Sequence, residues 1–251
     1  VSDLAWILVG GVGLASLSLI GGLTSWLAGG ALHALLRPLV AFAAGSLLGS
    51  VFFHLIPTAT EASPDRGHAT TYVWVLLGFA TFLALEQFLH WHHCHTGEPH
   101  SHGTRKPMTY LILFGDALHN FLDGLSVTSA FLLDPRAGIA AWLAAAAHEI
   151  PQELGDFAIL VHGGWERRRA LLFNLLSSST FLIGGVIAYS LAQTFNLSAL
   201  MLFGAGNFLY IGAADLVPEV KSDERLGMAA LSFAGFVAGS ALMFALGLLH
   251  G

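Results

Sequence analysis

The sequence predicts an all-α integral membrane protein with eight transmembrane helices. They are ordered three, two and three, with inverted repeats of spans 1–3 and 6–8 around a central pair, spans 4–5. Three observations carry the membrane-spanning helices, and a pattern shared by spans two and seven carries the repeat. The 251-residue chain is 55% hydrophobic and only 10% charged, where a soluble domain is typically about 25% charged. The apolar residues fall in long runs, and mean hydropathy is +0.70. Basic residues also sit almost wholly in alternate loops.

Eight apolar segments cover 4–28, 38–59, 70–91, 108–133, 137–161, 169–193, 197–218 and 226–249. Each is long enough to cross a hydrocarbon core about 30 Å thick as a helix, which takes about 20 residues. No run alternates with period two, which excludes barrel strands. The first begins without a basic stretch before it and is read as a mature helix rather than a signal peptide. The whole chain, 1–251, is read as one transmembrane domain. Its longest loop, 92–107, is too short to be a receptor's signalling domain. The 29 glycines suit close helix packing. A single cysteine, Cys94, excludes an intrachain disulfide.

The loops set orientation. Arg37; Arg105 and Lys106; Arg167, Arg168 and Arg169; and Lys221 and Arg225 follow spans one, three, five and seven. The opposite loops hold only Arg66 and Arg136. The positive-inside rule puts the first set in the cytoplasm and both termini outside it. The absence of a basic face argues against nucleic acid as a partner.

Spans two and seven share a pattern. Gly45, His54 and Pro57 recur in register as Gly206, Asp215 and Pro218. The two spans run in opposite directions, as in inverted-repeat transporters. His54 and Asp215 lie at the outer ends of their spans, where they line a pathway or cap a proline bend.

Spans four and five break the apolar rule. Span four carries Asp116, His119, Asn120 and Asp123; span five carries His148, Glu149, Gln152, Glu153 and Asp156. At about 2.5–3.5 kcal/mol each, five acids at the bilayer centre would cost on the order of 15 kcal/mol, so they must face a wet or cation-filled interior. Asp116, His119 and Asp123 share one helical stripe, and His148 and Gln152 another, beside the row Glu149, Glu153, Asp156. Asn120 lies fifteen residues before Pro135 and Glu149 fourteen after it. At about 1.5 Å per residue, both sit about 21–22 Å from the turn of an antiparallel hairpin. Imidazole with carboxylate suits Zn²⁺ and, by the same chemistry, Fe²⁺, Mn²⁺ or Cd²⁺. Amides bind weakly, so such a site holds a divalent ion without trapping it. Asp116 and Asp156 are read as orienting the ligands. Pro151 frees the Ala147 carbonyl beside His148. Histidines must be neutral to bind metal, so binding is expected to weaken as acidity rises through the range where imidazole titrates. A zinc titration that stays flat from neutral to mildly acidic pH would exclude histidine ligation.

His90, His92, His93, His95, His100 and His102 surround Cys94 on the cytoplasmic side. Such tracts bind metal loosely, and a storage or sensing role competes with a plain solvated loop. An intramembrane zinc metalloprotease is the alternative enzyme reading. It needs H-E-x-x-H, and Gln152 stands where the second histidine belongs.

The strings His119-Asn120-Phe-Leu-Asp123-Gly124 and His148-Glu149-Ile-Pro151-Gln152-Glu153-Leu-Gly155-Asp156 resemble the ZIP (zinc/iron permease-like) transporter family. They are most similar to the branch with HNxxDG in the fourth helix and HExPHE in the fifth. The resemblance covers essentially the whole chain and implies a transporter, not an enzyme, with no catalytic cofactor. It implies uptake of divalent metal, zinc foremost, toward the cytoplasm across a plasma or bacterial inner membrane. It implies a homodimer, and movement of one helix bundle against another. By this analogy His119, Asp123 and His148 hold the main ion, Asn120 and Glu149 a second, and Gln152 lies between. The branch has histidine where this chain has Gln152, a departure that bears on the second position and on selectivity.

Overall fold

The structure is a computed structural model that describes residues 3–25, 29–63, 69–95, 107–218 and 226–248. Its described residues are helical almost throughout. In order they form α1 (Asp3–Leu17), a 3-10 turn (Ser18–Ser25), α2 (Gly29–Ser50), a π turn (Val51–Leu55), α3 (Ile56–Ala62) and α4 (Ala69–His95). The central pair follows as α5 (Pro107–Leu133) and α6 (Pro135–His162). Then come α7 (Arg167–Ser178), α8 (Thr180–Leu191), α9 (Leu197–Tyr210), a second π turn (Ile211–Leu216) and α10 (Leu226–Leu248).

Among these residues five stretches are long and apolar enough to cross a bilayer: Asp3–Gly22, Arg37–Ala62, Arg167–Leu191, Leu197–Ala214 and Leu226–Leu248. Thr71–Gln87 is a shorter apolar helix. The acid-bearing α5 and α6 are outside that set. Large apolar side chains such as Leu76, Phe233 and Val9 are exposed, which suits an acyl-chain solvent.

Local chemistry explains where the helices differ from the expected segments. α2 begins at Gly29, well before 38, because Pro38 sits within it rather than at its start. α4 runs on to His95, so the first residues of the expected loop 92–107 are helical. The side chains of His90, His92, His93, His95 and Asp215, and the whole of His100 and His102, lie outside the described residues. The expected segment 169–193 is two helices joined at Ser179. Ser177 and Ser178 both donate to the Asn174 carbonyl, Ser179 to that of Leu175, and Thr180 to those of Ser177 and Ala117. This run of hydroxyls competes with the helix ladder and bends it. At the hairpin, Asp134 caps α6 by accepting from the Arg136 amide, with Pro135 in the first turn.

The repeat seen in spans two and seven extends into three dimensions. Both π turns fall at the repeated stretch before Pro57 and Pro218. A proline deprives an upstream carbonyl of its donor, and the wider i→i+5 turn absorbs that misfit. Partner choice also repeats. α2 packs on α10 as α9 packs on α4, and α6 packs on α2 as α5 packs on α9. Gly45 and Gly239 close the first interface and Gly78 and Gly206 the second, each against a backbone carbonyl of the facing helix. The interval from Gly45 to Gly206 equals that from Gly78 to Gly239.

Candidate metal centre

α5 and α6 pack side by side and bring four expected residues into one buried group: His119, Asp123, His148 and Glu149. His148 Nδ1 lies 3.1 Å from the Ala144 carbonyl oxygen. A carbonyl only accepts, so Nδ1 carries the proton and Nε2 presents a lone pair. That Nε2 is 2.9 Å from His119 Nε2, 3.2 Å from Asp123 Oδ2 and 3.5 Å from Glu149 Oε1. His119 Nε2 is 3.6 Å from Asp123 Oδ2 and 3.2 Å from Glu149 Oε1. Ligands at about 2.0–2.1 Å around a tetrahedral ion stand about 3.3 Å from one another. These five separations are already near that spacing, and the Asp123 and Glu149 oxygens lie within 4.8 Å of each other.

The electrostatics point the same way. Both oxygens of Asp123 and Oε1 of Glu149 are buried and receive no hydrogen bond among the described residues. A proton on His119 would satisfy one contact. A divalent cation would satisfy two imidazoles and two carboxylates together.

A second buried group, Asp116, Glu149 and Glu153, shares Glu149 with the first. Asn120 and Gln152 adjoin this second group. Their amide nitrogens donate to Asp116 Oδ1, at 2.9 and 3.2 Å. Asp116 therefore gathers the amides, while its Oδ2 receives no hydrogen bond among the described residues. Glu153 turns toward α7, where Asn174 and Ser178 donate to its two oxygens. Asp156 is half-buried further along α6 and belongs to neither group. His54 is buried in the first π turn, its Nε2 2.8 Å from the Met243 carbonyl of α10, a bond between helices.

Several neighbours escaped the sequence reading. Phe82 of α4 meets the His119 ring edge-on at 5.4 Å, and Phe208 of α9 meets His148 at 5.8 Å. Tyr210 donates to Glu86, so Glu86 ties α4 to α9. The only sequence signal for Asn174, Ser178 and Glu86 was polarity within an apolar run.

The chain matches the family described as "ZIP Zinc transporter" over residues 3–108 and 90–247. Among curated relatives, "Zinc transporter ZIP13" of Pongo abelii is 34% identical over 210 residues, covering 78% of this chain and 61% of that protein. "Zinc transporter foi" of Drosophila melanogaster is 34% identical, covering 59% of this chain and 21% of its own length. "Zinc transporter ZIP10" of Homo sapiens is 36% identical, covering 52% and 17%. The chain thus spans less than two thirds of the length of each of these three relatives. With the match extending along nearly its whole length, the chain belongs to the ZIP zinc transporter family.

Proposed function

We propose that this protein carries divalent metal ions, zinc foremost, across a membrane toward the cytoplasm. His119, Asp123, His148 and Glu149 hold the ion in transit. The near-tetrahedral spacing of four buried donor atoms around unsatisfied carboxylate oxygens supports this most directly. The same donor set accepts Fe²⁺, Mn²⁺ or Cd²⁺. Asp116, Glu149 and Glu153 form an adjoining position, with Asn120 and Gln152 tuning it through Asp116. The eight segments cross as spans, and spans 1–3 and 6–8 are inverted repeats that rock around the ion. The equal glycine interval and exchanged helix partners support that arrangement. Basic loops facing the cytoplasm put both termini outside it, and a homodimer in a plasma or bacterial inner membrane completes the reading. Asp156, His54 and Asp215 line the route or brace it, and the histidine-rich segment buffers metal at the exit.

Purified protein in liposomes should move zinc into a dye-loaded lumen with saturable kinetics. Empty-vesicle rates would overturn the reading, and peptide cleavage dependent on Glu149 would revive the metalloprotease. Gln152→His should tighten zinc binding by about tenfold, because imidazole replaces an amide beside the carboxylates. Isothermal titration giving unchanged or weaker affinity would refute that.

A further inference from the structure

Asn207 of α9 is fully buried, and neither its amide nitrogen nor its side-chain oxygen has a hydrogen-bond partner among the described residues. A buried amide left unpaired destabilises a fold relative to an apolar side chain of similar shape. Stability alone would favour leucine there.

Its helical neighbours locate it. Gly204, three residues before, abuts Ser126 of α5, and Ser126 stands one turn from Asp123. Phe208, the next residue, meets His148 at 5.8 Å. Tyr210, three residues after, packs on Phe82 at 5.8 Å, and Phe82 touches His119. Residues three apart share a helix face. Asn207 therefore sits between the side of α9 that meets α5 and α6 and the side that meets α4, in the wall of the metal centre. The repeat marks the same place. Its equivalent in α2, in the register set by Gly45 and Gly206, is Ser46, also buried and with no hydrogen-bond partner for its hydroxyl among the described residues.

We propose that Asn207 is a further cation-binding residue, whose side-chain oxygen replaces a water on the divalent ion held by His119, Asp123, His148 and Glu149. The inference rests on the transport reading above. A neutral oxygen adds a ligand without adding charge, so it strips hydration without deepening the electrostatic well. It also brings α9 into an ion contact otherwise made by the central pair alone. The ion then bridges the helices that must separate when it leaves.

The test uses the full purified chain with Asn207→Leu, Asn207→Ala and Asn207→Asp. Asn207→Leu should keep or raise the metal-free melting temperature, weaken zinc binding by about tenfold and slow liposome flux in parallel. Asn207→Ala removes the oxygen without bulk, and should weaken binding likewise even if the leucine variant does not fold. Asn207→Asp keeps an oxygen and should bind at least as tightly as the parent. Zinc affinity and flux within twofold of the parent in either apolar variant would overturn the proposal. So would a lowered metal-free melting temperature in all three, which would mark a structural amide. If the parent chain itself moves zinc no faster than empty vesicles, the transport reading fails instead.

Discussion

Asp123→Asn will abolish zinc flux while leaving the metal-free protein as stable as its parent, or more so. Asp123 is almost wholly buried, and neither oxygen receives a hydrogen bond among the described residues. Without metal, that carboxylate carries a desolvation penalty that no hydrogen bond among the described residues offsets. An amide of the same shape removes the charge and so relieves it. With metal, the variant loses an anionic ligand 3.2 Å from His148 Nε2. Partners outside the ligand shell typically cost 10–100-fold in metal affinity when mutated, so loss of a direct anionic ligand should cost about a hundredfold or more. The two effects are read separately. Thermal melting with and without zinc should show a zinc-induced rise in the parent, by mass action on the folded state, and none in the variant. Liposome uptake should fall to the empty-vesicle rate. A variant that still melts higher with zinc would remove Asp123 from the site.

The sequence made the central pair legible because both helices announce their ends. Pro107 opens α5, and Asp134 with Pro135 opens α6, so depth could be counted from the turn. Residue type then chose the site, and His119, Asp123, His148 and Glu149 meet as their spacing requires. What spacing cannot say is which neighbour a face will meet. Glu153 shares a row with Glu149, yet its carboxylate is held by Asn174 and Ser178 from another helix. Asn120 and Gln152 have the right depth, but an amide has a donor as well as an acceptor. Here the donors turn to Asp116. The bend at Ser179 depends on hydroxyls competing for backbone carbonyls, which an apolar count does not weigh. The expected second segment begins at residue 38, whereas the helix starts at Gly29 and runs through Pro38.

The glycine that ends the first motif shows that a motif position need not touch the chemistry. A Cβ on Gly124 would run into the Phe181 carbonyl oxygen and lie 3.0 Å from the Gly185 amide nitrogen. Gly184 makes the reciprocal approach to the Phe121 carbonyl, so α5 and α8 touch backbone to backbone one residue beyond Asp123. Small residues at such crossings let membrane helices associate through close packing. Neither obstacle is a side-chain end that can rotate away, so Gly124→Val must push the helices apart. Overpacking a tight contact typically costs about 1–3 kcal/mol, occasionally more, and a backbone clash belongs at the upper end. The shift would reach the metal centre, because α7 joins α8 at Ser179 and carries Asn174 and Ser178 to Glu153. Gly124→Val should therefore lower the melting temperature by about 5 °C or more and reduce flux, although no ligand has changed. Gly155, in the second motif, has open space around its missing Cβ, and Gly155→Ala should leave the melting temperature alone. Equal tolerance at both glycines would mean that Gly124 is not there for packing.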